Sequence, residues 1–288
     1  MSGAERRADA SMGRDFRFVH LTDTHIMAGG KWRPRSADFE FDTEASLRRV
    51  VATVRTLEPA PAFAVLGGDL ASPDLLRRDV TPAVEEWETS YRLLAEILAE
   101  LPCPVHYLVG NHDHRVAFNR VLRRDAPAAD APYYYAFDHE GHHFVALDSQ
   151  EPGQAGGFVD PQQLEWLGRD LARHRDRPTI VFVHHHPWPL GLRWIDTMTV
   201  RNGEELMALL AGHPQVRWVV CGHVHLDQAI ESGRLTMLTT PSTCIQMSKV
   251  SQAGKALPGP PGFRVVDVTG HALSTRVLHL RDDGAGEL

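Results

Sequence analysis

The chain has 288 residues, of which 43% are apolar and 23% charged, an ordinary composition for a soluble globular protein. No apolar run approaches the roughly 18 residues of a membrane span, so no membrane span is expected. The formal net charge of −7 argues against a broad surface for a phosphate backbone, and no stable nucleic-acid partner is expected. The three cysteines, Cys103, Cys221 and Cys244, fit free thiols in a reducing cytoplasm.

The two ends of the chain are expected to be tails. Residues 1–15 carry several charges and no apolar stretch of a secretory signal, which predicts a flexible N-terminal tail. Residues 281–288 are predicted to be a C-terminal tail. Because no linker or internal repeat divides the remainder, residues 16–280 are predicted to form a single domain.

Short β-rich runs and segments of helical periodicity alternate along the chain. The runs that predict strands are 16–21, 62–66, 105–109, 144–147, 179–183 and 217–221, with a hairpin over 133–148. The segments that predict helices are 44–57, 84–101, 115–124, 162–174 and 203–210. This alternation predicts a layered α/β fold. After residue 224 the pattern changes to antiparallel strands at 227–232, 235–239, 264–268 and 273–278, with a loop over 248–262.

Side chains that bind metal ions follow five of the predicted strands. They are Asp23 and His25, Asp69, Asn111, the triple histidine at 184–186, and His223 and His225. Ligands bind beyond the carboxyl ends of strands in an open α/β sheet, so these side chains are expected at one edge. Residues two apart share a face of an extended segment, which would pair Asp23 with His25 and His223 with His225. Nitrogen and oxygen ligands without cysteine suit Mn, Fe, Zn or Co and disfavour a structural zinc.

The motif series Asp-x-His, Gly-Asp, Gly-Asn-His-Asp, His-x-Pro and Gly-His-x-His resembles the calcineurin-like metallophosphoesterase superfamily, from Phe16 to at least Cys244. The class III cyclic-nucleotide phosphodiesterases and their glycerophosphodiesterase relatives are the most similar branch. That similarity lies in Asp23-Thr24-His25, in segment 157–167, and in Pro241-Ser242-Thr243-Cys244 with Gln246. The resemblance implies a four-layer αββα sandwich with mixed β-sheets. It also implies two divalent or mixed-valence metal ions.

The resemblance assigns the ligands by position. One ion would be held by Asp23, His25, Asp69 and His225, and the other by Asp69, Asn111, His185 and His223, with Asp69 bridging. His185 is selected because the family ligand lies two residues before the proline. A shift of one residue would select His184, whose side chain is expected on the opposite face of the strand.

His112 follows Asn111 and is the predicted catalytic residue. The resemblance implies that His112 contacts the phosphate and either stabilises the transition state or protonates the leaving oxygen. Two roles stay open for Asp113, which would either orient the His112 imidazole or cap the helix that follows.

The implied function is a dinuclear-metal phosphodiesterase in which a metal-bound hydroxide attacks a small phosphodiester, with a 3′,5′-cyclic nucleotide, cAMP, as the favoured substrate. The alternatives are a glycerophosphodiesterase or broad-specificity phosphoesterase and, more remotely, a non-catalytic interaction module. A cytoplasmic location is expected, and a homodimer is left open.

A loop after the triple histidine is a candidate wall of the substrate site. Arg193 would meet a phosphate and Trp194 a base face, unless the loop only packs as a lid. Trp32 lies in the segment 29–41, which is a second candidate for the rim of the substrate site. Cys244 is not expected to act as a nucleophile, because no base accompanies it.

Overall fold

The computed structural model describes residues 13–34, 38–77 and 80–280. Residues 1–12 and 281–288 of the predicted tails lie outside these ranges. Within the predicted N-terminal tail, Arg14 pairs with Glu140 at 3.0 Å between Nη2 and Oε1. The single domain over 16–280 stays a prediction. None of the described helices is long and apolar enough to cross a bilayer.

The first sheet joins the beginning and the end of the chain. Its spatial order is β13 (Ala272–His279), β12 (Gly262–Thr269), β1 (Phe16–Leu21), β2 (Phe63–Leu66) and β3 (Val105–Tyr107). Strands β1, β2 and β3 are parallel, whereas β12 runs antiparallel to both β1 and β13. The predicted antiparallel strands near the C-terminus are therefore confirmed.

The second sheet has a parallel centre and a hairpin at each edge. Its order is β4 (Tyr135–His139), β5 (His142–Leu147), β6 (Thr179–Val183), β7 (Val216–Cys221), β9 (Leu235–Thr239) and β8 (Gln228–Ser232). The hairpins are β4–β5 and β8–β9. The loop predicted over 248–262 is wrong at one point, because β11 (Ala256–Leu257) pairs with β10 (Gln246–Met247).

Besides the short turn Pro73–Leu75, five helices and one helical turn position the site in the described residues. They are α1 (Thr43–Val54), α2 (Val84–Leu98), α3 (Arg115–Val121), α4 (Pro161–Arg173), the single turn α5 (Arg193–Asp196) and α6 (Gly203–Ala211). Carboxylates cap two of them: Asp42 accepts from the Ala45 N–H at the start of α1, and Asp160 accepts from the Gln163 N–H at the start of α4, both at 2.9 Å.

Three apolar clusters separate the layers. Successive residues of β1 face opposite sides of the sheet, so Val19 packs with helices α1 and α2, whereas Phe18 packs between the sheets against Phe182, with ring centroids 5.9 Å apart. A third cluster joins the second sheet to α4 and α6. The order helix, sheet, sheet, helix confirms the predicted αββα sandwich.

Candidate active site

The predicted ligands meet at the carboxyl ends of the parallel strands. Asp23 and His25 follow β1, Asp69 follows β2, and His223 and His225 follow β7. All five are buried. Packing of the two sheets brings together His25 and His225, 200 residues apart in the chain, with their Nε2 atoms 3.2 Å apart.

The first cluster comprises Asp23, His25, Asp69 and His225. His225 Nε2 lies 3.1 Å from Asp23 Oδ1, and His25 Nε2 lies 3.9 Å from Asp69 Oδ2. Each of the two histidine rings has a partner at Nδ1 that orients it. The Ile245 carbonyl accepts from His225 Nδ1 at 2.6 Å, and His25 Nδ1 lies 2.7 Å from the Ser72 hydroxyl. Ligands at about 2.0–2.2 Å from one ion lie roughly 3–3.5 Å from one another, so the separation of His225 from Asp23 fits a cation, whereas His25 and Asp69 lie slightly farther apart.

The second cluster contains both candidate histidines. His185 and His223 each have a buried Nε2 with no hydrogen-bond partner among the described residues, and their ring centroids are 4.6 Å apart. His184 Nε2 lies 3.4 Å from Asp69 Oδ2 and 3.3 Å from Asn111 Oδ1. The expectation that His184 points to the opposite face is wrong. Strand β6 ends at Val183, and the alternation of a strand no longer applies beyond it.

Five of the seven predicted ligands have left-handed backbone conformations. They are Asp23, His25, Asp69, His223 and His225, with φ between 44° and 68°. The extended i, i+2 geometry expected for the two pairs is therefore wrong, although the side chains do converge. Asp and His tolerate this region better than most residue types, but each instance still costs about 1–3 kcal/mol. Strained backbone conformations of this kind cluster at active sites and ligand-binding sites.

His112 is oriented by a residue that the sequence analysis did not identify. His112 Nδ1 lies 2.8 Å from Asp74 Oδ2, and the His112 backbone N–H donates to Asp69 Oδ1 at 2.8 Å. Burial lowers the pKa of His112, but the Asp69 charge and the Asp74 hydrogen bond outweigh it and raise the pKa to about 9. Asp74 lies in a short helical turn (Pro73–Leu75). No local sequence motif distinguishes it, because its contact with His112 forms only in the folded protein.

Asp113 has neither of the two roles predicted for it. His114 caps α3 by accepting from the Ala117 N–H at 3.3 Å. Asp113 instead accepts from the Gly110 N–H at 2.8 Å, the Leu70 N–H at 3.0 Å and the Tyr91 hydroxyl at 2.9 Å. Burial and the Asp69 charge raise the pKa of Asp113 to about 7. Through these hydrogen bonds, the Asp113 carboxyl group holds the segment after β2 and the segment after β3 together.

The sequence model of the calcineurin-like phosphoesterase family matches residues 16–227, which include every predicted ligand. The chain belongs to this family. The metallophosphoesterase fold implies a dinuclear divalent metal centre, in agreement with the two clusters above.

Similar proteins agree with this assignment. The chain is 32% identical to the 3′,5′-cyclic adenosine monophosphate phosphodiesterase CpdA of Escherichia coli K12, over 92% of this chain and 90% of that protein. It is 28% identical to the glycerophosphodiester phosphodiesterase GpdQ of Enterobacter lignolyticus, over 80% and 78%. A dimetal phosphatase from Danio rerio shares the fold, with a TM-score of 0.65 and 16% identity over 90% and 98% of the two chains.

A cavity of about 210 Å³ reaches five of the predicted ligands of this metallophosphoesterase. Six of its lining residues are polar: His25, Asp69, Asn111, His112, His223 and His225. The other eight are apolar: Trp32, Leu75, Ala155, Trp194, Ile195, Met198, Ile245 and Met247. Trp194 therefore lines the cavity as predicted. Arg193 is exposed and lies outside the lining, and its backbone N–H donates to Gln252 at 3.1 Å.

Proposed function

We propose that the protein is a dinuclear-metal phosphodiesterase whose substrates are 3′,5′-cyclic nucleotides, with cAMP favoured. The observation that carries the proposal is a cavity lined by two kinds of side chain, the predicted metal ligands and a set of apolar residues that includes two indole rings. A cyclic nucleotide has the matching halves, an anionic phosphodiester and a flat base. The similarity to the cAMP phosphodiesterase CpdA over most of the chain supports the same assignment.

The proposed ligand sets are those of the two clusters. Asp23, His25, Asp69 and His225 hold the first ion, and Asp69, Asn111, His185 and His223 hold the second. Two divalent ions bring about +4 against −2 from Asp23 and Asp69, which leaves positive charge for a monoanionic diester. Mn, Fe, Zn and Co all accept this ligand set. When bound, the ions polarise the phosphate and activate an attacking water.

In this proposal His112 donates a proton to the leaving oxygen, and Asp74 orients the His112 ring. The Asp74 carboxylate accepts the hydrogen bond from His112 Nδ1 and thereby fixes the ring, so that Nε2 is the nitrogen available to the leaving oxygen. The neighbouring carboxylates favour the protonated imidazole. His112 is therefore the general acid for the departing alkoxide.

The alternative substrate class is a glycerophosphodiester, because the chain is also similar to GpdQ. The apolar wall opposes this class, since glycerol hydroxyls buried against it would lose water without gaining hydrogen-bond partners. A panel of cAMP, glycerophosphocholine and 4-nitrophenyl phosphate on one preparation, with its metal content measured, separates the two. A higher kcat/KM for glycerophosphocholine would overturn the cyclic-nucleotide assignment.

The same preparation tests the non-catalytic alternative. Protein that binds no metal, and that does not hydrolyse bis(4-nitrophenyl) phosphate after manganese is added, would be an interaction module. We also propose a cytoplasmic location, supported by three free cysteines. The homodimer stays a prediction that light scattering tests.

A further inference from the structure

The segment 110–113 follows β3 of the first sheet and carries Asn111 and His112 of the proposed site. We infer that Gln150, which follows β5 of the second sheet, is a positioning residue that holds this segment and thereby keeps the His112 imidazole at the leaving oxygen. The inference rests on the proposed role of His112 as general acid. It adds a residue that the motif series does not contain.

The side-chain amide of Gln150 bridges the two ends of this segment. Its Nε2 donates to the Gly110 carbonyl at 2.8 Å and to the Asp113 carbonyl at 2.5 Å. Because carbonyls only accept, the nitrogen of the amide must face them, and both of its hydrogens are used. The Asp113 N–H also donates to the Gly110 carbonyl at 3.2 Å, so the segment is a turn. Gln150 therefore ties together the peptide groups on either side of Asn111 and His112.

Gln150 is itself fixed by its neighbours. It is buried, its N–H donates to Asp148 Oδ1 at 2.9 Å, and its carbonyl accepts from Arg115 Nη2 at 3.1 Å. The same Arg115 nitrogen lies 3.0 Å from both carboxylate oxygens of Asp148. The Gln150 side chain therefore extends from a constrained backbone, and little conformational entropy remains to oppose its contacts with the turn.

The turn is held from two directions. On the side of the first sheet, the Asp113 carboxyl group accepts from the Leu70 N–H, and the His112 N–H donates to Asp69. Gln150 supplies a contact from the second sheet, which also carries His223 and His225 after β7. Because the predicted ligands come from both sheets, Gln150 fixes the position of His112 relative to those of the second sheet.

Gln163 provides a matched control from the same region. Its side chain is buried, its Nε2 donates to the Asp148 carbonyl at 2.7 Å, and its Oε1 accepts from the Asp148 N–H at 2.8 Å. Among the described residues, these side-chain hydrogen bonds reach Asp148 and not the turn. Gln163→Met therefore removes a buried amide with two hydrogen bonds to the backbone, as Gln150→Met does, without releasing segment 110–113.

The first experiment compares a poor leaving group with a good one. The ribose oxygen of cAMP leaves as an alkoxide and needs a proton, whereas 4-nitrophenolate leaves bis(4-nitrophenyl) phosphate as a stable anion. In manganese-loaded, full-length protein, we expect Gln150→Met to lower kcat for cAMP by about tenfold, because the acid is misplaced. Its kcat for bis(4-nitrophenyl) phosphate should stay within about twofold of the wild type. Gln163→Met should keep the wild-type ratio of the two kcat values.

Amide hydrogen exchange gives a second readout, which does not depend on turnover. In the metal-free protein, the backbone N–H groups of His112 and Asp113 donate within or beside the turn. We expect both to exchange at least about tenfold faster in Gln150→Met than in the wild type, because the turn loses two hydrogen bonds and opens more often. Gln163→Met should leave both exchange rates unchanged.

The double variant of Gln150→Met with His112→Ala should hydrolyse cAMP no more slowly than His112→Ala, because Gln150 acts through His112. The inference would be overturned by losses that multiply in this variant, by equal losses for the two substrates in Gln150→Met, or by unchanged amide exchange. Circular dichroism checks folding. Gln150→Asn, whose shorter side chain cannot bridge both carbonyls, carries the same measurements if Gln150→Met fails to fold.

Failure of the proposed function gives a different result. Equal losses for the two substrates in His112→Ala itself would contradict the acid role of His112. Amide exchange in Gln150→Met would then still decide whether Gln150 holds the turn.

Discussion

His112 and Asp74 form a hydrogen bond of 2.8 Å that joins the segment after β3 to the segment after β2. Both side chains are partly exposed, at 28% and 35%; His112 lines the cavity, whereas Asp74 is not among its lining residues. The pair lies beside the predicted ligands, because the His112 backbone N–H also donates to Asp69. Asp74 is thus placed to orient the proposed acid without itself touching the substrate.

Replacement of His112 by Ala should lower kcat by about 10²–10⁴-fold, because the leaving oxygen loses its proton donor. Metal content should be unchanged. Asp74→Asn should lower kcat by roughly tenfold, since the ring loses its orienting carboxylate. The double variant should be no slower than His112→Ala, because Asp74 acts only through His112. Multiplying losses in the double variant would show that Asp74 has an independent role.

Replacement of Asp113 by Ala should destabilise the protein by about 2–4 kcal/mol, because buried donors at Gly110, Leu70 and Tyr91 lose their acceptor. Tyr91→Phe removes only one of these hydrogen bonds and should cost about 1 kcal/mol. Urea unfolding of the metal-free proteins measures both. Equal stability of Asp113→Ala and the wild type would show that Asp113 does not stabilise the contact between the segments after β2 and β3.

Replacement of His225 by Gly should give a metal-free protein about 1 kcal/mol more stable than His225→Ala, because φ is +54° at this position. Both variants lose the same imidazole, so the comparison isolates the effect of the backbone conformation. His185 is not among the described residues with positive φ, and there Gly should be less stable than Ala. The opposite order at His225 would refute the strained backbone.

Replacement of Trp194 by Ala should raise KM for cAMP by about tenfold, because stacking on a base contributes about 1–3 kcal/mol. The rise for glycerophosphocholine should be much smaller, since this substrate has no ring to stack. Trp166→Ala is the control, because Trp166 packs against Tyr134, with ring centroids 4.9 Å apart, and lies outside the cavity lining. Equal changes in KM for the two substrates would show that Trp194 does not recognise the base.

Replacement of Cys244 by Ser should leave kcat within about twofold of the wild type. Burial raises the pKa of the Cys244 thiol to about 12, so the thiol is protonated near neutral pH and is a poor nucleophile. Cys103, with its pKa raised to about 11 by burial, should likewise react slowly with a thiol reagent at pH 7 until the protein is unfolded. Loss of turnover in Cys244→Ser would reopen a covalent mechanism.

The layered fold and the convergence of the predicted metal ligands at one edge were accessible from the sequence. Apolar periodicity within one strand or helix is local, as in β1, where Phe18 and Val19 face different layers. The rule that ligands gather at the carboxyl ends of strands then placed Asp23, Asp69 and His223 at one edge. Neither step depends on knowing how distant segments pack.

The orientation of those side chains was decided only by the tertiary structure. Beyond a strand end, the backbone follows hydrogen bonds to other segments: the Asp23 N–H donates to the Gly68 carbonyl at 3.0 Å, and the His25 N–H donates to the Asp69 carbonyl at 2.9 Å. Strand alternation therefore fails for His184. The partnership of Asp74 with His112 likewise joins segments 38 residues apart. Sequence periodicity describes one element at a time, whereas such contacts exist only after two sheets have packed together.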